Sequence, residues 1–234
     1  VIFSRRPRII AALAAGLVVA RCAPPQERYL RIDATPVDPP VAARPALDGN
    51  IQLLPFRARG LLGDRHVVYL DPNAPGEARP SATLIWEDAP PIAASRVTAR
   101  ILQASRIAPA VLPPDALGLA AFTLDGSLGR FELVRGQGGA ENAVVQIEFT
   151  LLAGPARSPA MIARYCRAEP TGRDPAAAFS RAISAVSAQF ASDLLSRAAA
   201  VNMAAADKAG AGNPTSAILI GQRITPDSGL CDGP

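Results

Sequence analysis

The 234-residue sequence predicts a single α+β domain, with a mixed, mostly antiparallel sheet and two main helices packed on one of its faces. Three observations predict this. Short runs alternate apolar and polar residues, most clearly Ala143 to Leu152, where Val145, Ile147, Phe149 and Leu151 share one face. Two longer stretches carry the helical spacing instead. The elements also come in blocks, strands then helix then strands then helix, rather than as a strict βα alternation.

The elements follow in order. Tyr29-Leu30-Arg31-Ile32-Asp33 alternates and reads as a first strand. Pro36, Pro39, Pro40 and Pro45 make the stretch up to residue 48 an extended, irregular linker. Ile51 to Phe56 is a strand that Pro55 confines to an edge or to its own end. A glycine-containing loop leads to the strand His66 to Leu70, a turn at Asp71-Pro72-Asn73, and a short strand Thr83 to Trp86. Asp88 is placed to cap a helix whose first turn holds Pro90 and Pro91, with Ile92, Val97, Ile101 and Leu102 near helical spacing. Two antiparallel strands are expected at Ala120 to Leu124 and Ser127 to Val134, turning at Asp125-Gly126. The strand Ala143 to Leu152 then pairs with Ala160 to Glu169 as a hairpin.

The strongest helix opens at Asp174-Pro175, an N-cap followed by a proline at the first helical position. Phe179, Ile183, Val186, Phe190 and Leu194 then lie on one stripe. Each contributes roughly 1.5–3 kcal/mol if fully buried, so this helix must dock on the sheet. Beyond Ala200 the chain turns small and polar and is expected to be a flexible tail over residues 201–234.

The first residues have a different character. Arg5, Arg6 and Arg8 precede an uncharged apolar run from Ile9 to Ala20. The run is shorter than the roughly 20 residues a spanning helix needs, and basic residues in front of it mark a secretory leader, expected over residues 1–21. Cys22 follows directly, and Leu17-Val18-Val19-Ala20-Arg21-Cys22 resembles a lipobox, in which the cysteine is diacylated (palmitate or a similar chain) and becomes the new N-terminus. Arg21 departs from the small residue usual there. Two acyl chains anchor a protein stably where one does not. Ala23 in place of aspartate favours the outer membrane over the inner. The expected organisation is therefore a leader at 1–21, a lipidated tether with the first strand at 22–48, the folded domain at 49–200, and the tail.

The formal charge of +4 is carried by this leader, which holds four arginines and no acid. The remainder is neutral, which excludes the basic footprint of a nucleic-acid binder. With Cys22 acylated, Cys166 and Cys231 are left as an even pair in an oxidising compartment. They are either a disulfide pinning the tail to the domain, worth about 3–4.7 kcal/mol on chain-entropy models, or two free thiols.

No catalytic pattern emerges. His66 is the only histidine, and it sits in a strand-like run. There is no multi-ligand metal spacing, no Gly-x-Ser-x-Gly elbow and no Walker A loop. Glu87, Asp88, Glu132 and Glu148 are scattered. The expectation is a non-enzymatic protein with no metal and no cofactor.

The stretch from Leu54 to Trp86-Glu87-Asp88-Ala89-Pro90-Pro91 resembles the ABC-type transport auxiliary lipoproteins, the paraquat-inducible protein C-like accessory subunits of MCE systems. The features that carry the resemblance are Cys22, Tyr29-Leu30, Leu54-Pro55-Phe56-Arg57, Val68-Tyr69-Leu70 and Trp86. They continue with Leu124-Asp125-Gly126, Phe131-Glu132, Val145 to Leu151 and the helix holding Gln189-Phe190. Together they span residues 22–198 and persuade by their order. The resemblance implies a periplasmic domain working beside an MCE-domain protein, an ABC permease and an ATPase that move phospholipid or sterol, and it implies a homo-oligomer. Tyr69, Trp86 and Phe56 are the candidate partner contacts, since interfaces favour large rigid aromatics. The alternative, that they are core residues, is favoured for Phe56. The alternative function is a stand-alone periplasmic assembly or secretion accessory lipoprotein.

Overall fold

The computed structural model describes residues 26–35, 39–71, 74, 77–116, 118–136, 139–210, 219–224 and 231, of which 207–210 and 219–224 are described by their backbone alone. The leader and Cys22 lie outside the described residues.

The fold is α+β, and among the described residues it is built on one sheet of ten strands. Three long strands form its centre: β7 (Phe122–Arg135), β8 (Glu141–Ala153) and β9 (Ser158–Pro170), joined as consecutive antiparallel neighbours. The opposite side of β7 is lined by three short parallel strands in succession. Ile51–Leu53 (β2) runs beside Phe122–Leu124, Arg57–Ala58 (β3) beside Ser127–Leu128, and three residues of His66–Leu70 (β4) beside Glu132–Val134. Pro55 separates β2 from β3, and a 3-10 turn at Gly60–Gly63 separates β3 from β4. Ala78–Trp86 (β5) pairs antiparallel with β4, and Arg28–Leu30 (β1) pairs parallel with β5 at one edge. Val111–Leu112 (β6) joins β2, and Leu219–Ile224 (β10) joins β9 in parallel at the far edge.

Six of the nine described pairings are therefore parallel, which corrects the expectation of a mostly antiparallel sheet. The reason is topological. The stretch from Ile51 to Leu70 and β7 run in the same direction, and a helical crossover lies between them, as parallel neighbours require.

A second correction concerns Asp125-Gly126, expected as a turn. Phe122 to Arg135 is one unbroken strand, and Gly126 sits inside it because the Phe56 ring lies directly over it. A Cβ on residue 126 would come within 2.5 Å of that ring. Gly129 marks a bulge against β8. The extra residue resets the alternation, so Leu128 and Phe131, three apart, are both buried.

Both helices cover one face of the sheet. Pro90–Ala104 (α1) begins with two prolines at its N-terminus, and Ala89, not Asp88, occupies the cap position with no side-chain cap. Val97, Ile101 and Leu102 are buried, whereas Ile92 is half exposed. Pro175–Gly210 (α2) is capped as its sequence predicts, with the Ala177 N–H donating to Asp174 Oδ1 at 3.1 Å. The stripe Phe179, Ile183, Val186, Phe190 and Leu194 is buried throughout. Phe190 stacks on Phe149 of β8 at 4.4 Å, and Phe179 stacks on Phe131 of β7 at 4.3 Å. Thr98 and Ser187 share a buried hydrogen bond of 2.9 Å that joins the two helices.

The proline-rich stretch before residue 48 is irregular but not a loose tether. The Asp33 and Thr35 amides donate to Ser180 and Ser184 of α2. The Ala46 and Leu47 amides donate to the Ile107 carbonyl, and Leu47 is buried. The tail also differs from expectation, because α2 continues to Gly210 and β10 follows it.

Candidate functional site

The six residues singled out from sequence do not form one site. Cys22 lies outside the described residues. Trp86 and Phe56 are buried, 1% and 5% exposed, and cannot present themselves to a partner. Trp86 packs edge-on against both Phe131 and Phe179, at the point where β5 meets α2. Phe56 packs edge-on against Phe149. Both are core residues for the same physical reason: their rings fill the layer between sheet and helices, where aromatic area contributes most.

Tyr69 is half-buried. It lines a small depression of 180 Å3 with Leu70, Asp71, Arg79 and Arg135. Burial pushes its phenol above the usual tyrosine value, Glu141 adds to the effect, and a hydrogen bond with Ser81 opposes it. Tyr69 remains the one candidate aromatic with part of its surface open.

Cys166 and Cys231 are joined, with their Cα atoms 5.9 Å apart. Cys166 points to the face of β9 opposite the helices. There it packs with Val134 and Val144, all three nearly inaccessible, and Leu70, Ala168 and Cys231 cover them.

A charged cleft was missed by sequence reasoning. Between β1, the end of β5 and α1 lies a cleft of 290 Å3 walled by Arg31, Asp33, Glu87, Asp88, Arg96 and Arg100, over a floor of Ile32 and Val97. Arg31 donates twice to Glu87, at 2.5 and 2.8 Å. Arg96 donates to Asp88, and Arg100 stands 4.0 Å from Asp33. The hydrogen bond from Arg31 holds the Glu87 carboxyl below its ordinary value, and the same bond raises the Arg31 guanidinium. Asp88, freed of the capping role expected of it, serves this network instead. Part of the cleft is local in sequence: Glu87 and Asp88 lie just before α1, whose Arg96 and Arg100, four apart, share one face. Arg31 and Asp33 come from a distant part of the chain.

A second cleft, of 690 Å3, opens beside the start of α1. Arg57, Ala58, Arg59, Ala89, Pro91 and Ile92 are among its walls, and Phe56 closes its base. Arg57 pairs with Asp125 at 2.5 Å. The second cleft also takes in Ser127 and Glu148, cross-strand partners of β7 and β8, and the Glu148 carboxylate is engaged by Arg164. His66 is half-buried and stands 3.4 Å from Asp64. Among the described residues, no group of three or more histidine, cysteine or carboxylate side chains is arranged to hold a metal, and no helix is long and apolar enough to cross a membrane. What the surface offers chemically is arginine–carboxylate pairs and shallow apolar floors, which suit recognition by contact.

No family model matches the chain, and no curated protein matches it. Solved structures do. A Xanthomonas campestris protein of the DUF330 family superposes with a TM-score of 0.60 at 15% identity, over 77% of this chain and 99% of that one. An uncharacterized protein superposes with a TM-score of 0.53 at 12% identity, over 74% and 98%. At these identities the likeness is one of fold. A PelC dodecamer from Paraburkholderia phytofirmans aligns at 14% identity over 63% of this chain and 88% of that one, but with a TM-score of only 0.37.

Proposed function

We propose that this chain is a periplasmic auxiliary lipoprotein, anchored through an acylated Cys22, that serves an MCE/ABC-type lipid-transport system as a non-catalytic docking or bridging subunit. The observation that carries the reading is an order in the sequence. A basic and apolar leader ends at Cys22, and the first strand of the folded domain begins six residues later at Arg28. The auxiliary-lipoprotein features from Tyr29-Leu30 to Gln189-Phe190 then follow in sequence.

A further observation supports it. The Cys166–Cys231 bond fits an oxidising compartment rather than the cytosol. The partners are an MCE-domain protein and the permease and ATPase of the same system, and the subunit works as a homo-oligomer.

The test is crosslinking and co-purification of the full chain from native membranes, beside mass spectrometry of its N-terminus. Recovery of the MCE protein and permease with wild type, and their loss together with membrane association in Cys22→Ala, is the expected result. A wild-type protein that carries no acyl chain, or that brings down neither partner, overturns the proposal.

A further inference from the structure

β10 holds an edge position of the sheet, and among the described residues β9 is its only strand neighbour. The pairing is parallel, which is somewhat weaker per residue than antiparallel pairing, and Gly221 stands in its middle with no side chain to pack. Neither feature helps to keep the strand in place.

The register shows what does. Ile224, the last residue of β10, lies opposite Cys166. Cys231, seven residues further along the chain, is bonded to that same Cys166. The disulfide therefore clamps the chain at the point where it leaves β10. It also places Cys231 over the small apolar cluster of Val134, Val144 and Cys166 on the face without helices.

We infer that β10 is a removable edge strand, latched by the Cys166–Cys231 bond, and that opening the latch frees the edge of β9 from Met161 to Cys166 to accept an extended segment of another chain. Unpaired strand edges template exactly such additions, because the backbone N–H and C=O groups of the edge need partners. The occupant this edge fits is an extended peptide with small or aliphatic residues, as β10 itself has in Leu219-Ile220-Gly221. The inference does not depend on the lipid-transport reading.

The latch opens by thiol–disulfide exchange with a dithiol reductant. A thiolate of the dithiol attacks the half-buried Cys231 sulfur, the bond between the two protein sulfurs breaks, and Cys166 leaves as a thiolate that takes up a proton. The second thiol of the reductant then displaces Cys231 and leaves with the first as a disulfide. Two electrons pass to the protein, which ends with two thiols.

The test is hydrogen exchange read by mass spectrometry on the folded, oxidised full chain before and after dithiothreitol, with Cys231→Ser as the permanently open form. A labelled peptide of residues 217–226 is the probe of the edge. The expected result is that Met161 to Cys166 exchanges at least about tenfold faster in the open forms, while the interiors of β7 and β8 keep their protection. The peptide then binds the open forms and not the oxidised protein. Unchanged protection of β9 overturns the latch, because β10 then stays without the disulfide. Loss of protection throughout the sheet on reduction also overturns it, since the bond would be holding the whole fold. Faster exchange without peptide binding overturns the strand-addition half of the inference.

Discussion

The two faces of the sheet are made from the same three long strands, and they are built in opposite ways. On the inner face two aromatic clusters form, Phe131 with Phe179 of α2 and Trp86 of β5, and Phe149 and Tyr165 with Phe190 of α2. On the outer face the same strands carry Arg130 with Glu132, Arg164 with Glu148, and Asp125 with Arg57. Its one apolar cluster is small and lies under Cys231. The alternation of a β-strand makes this division possible: neighbouring residues in β8, such as Ile147 and Glu148, point to opposite sides. The comparison teaches where stability and adaptability reside. The inner face is locked by area and shape, while the outer face is held by ion pairs and one covalent bond.

The largest expected effect tests the inner face. Phe190→Ala removes a ring stacked on Phe149 and leaves a cavity that the surrounding helix and strands cannot fill. It should lower unfolding free energy by about 3–5 kcal/mol in urea titration. A loss below about 1 kcal/mol would mean that α2 is not the lid of the core. Val144→Ala asks the same of the outer cluster and should cost only about 2 kcal/mol, through two lost methyl groups and little cavity. If the two losses are equal, the faces are not different in kind.

Thr98→Val is smaller again. It leaves the buried Ser187 hydroxyl without its partner on α1, at a cost of about 1–2 kcal/mol, and adding Ser187→Ala should recover part of it. A double variant no better than the single one would show that the bond does not join the helices. The smallest effect is that of pH. Glu87 and Asp64 are held below their ordinary values when folded, Glu87 by Arg31 and Asp64 chiefly by the Arg65 amide. Their contribution is thus fully present above the usual carboxylate range and is lost as pH falls through it. Both groups are exposed, so only a slight drop in Tm at acid pH is expected from them, and Glu87→Gln should lessen it. A Tm that rises as pH falls through that range would reverse the sign argued here.

Much of the fold was legible in the sequence because local signals and tertiary structure agreed. The strand His66 to Leu70 and the helix start at Asp174-Pro175 lie where the pattern puts them, and the α2 stripe is buried along its length. Gly126 was not legible. A glycine between two apolar runs looks like a turn, and only the ring of Phe56, seventy residues earlier in the chain, makes it a strand residue. The proline-rich stretch before residue 48 was irregular as expected, but the serines of α2 that fix it lie far away in sequence. The charged cleft escaped notice for the same reason. Trp86 escaped differently: an aromatic side chain serves a core and an interface equally well, and its type alone does not tell which, whereas Phe56 is in the core as its sequence reading favoured.

By itself, the sequence determined periodicities, caps and the parity of its cysteines, and with them the α+β class, the helix that covers the sheet and the pair of thiols left to combine. These are properties of neighbours along the chain, set by the geometry of helix and strand. Only the tertiary structure decided the direction of strand pairing, the burial of Trp86, the assembly of Arg31 with Glu87, and the closure of β9 by β10 at Cys166. Each of these is a meeting of residues tens of positions apart, and what brings them together is the burial of one shared face, which no single segment encodes.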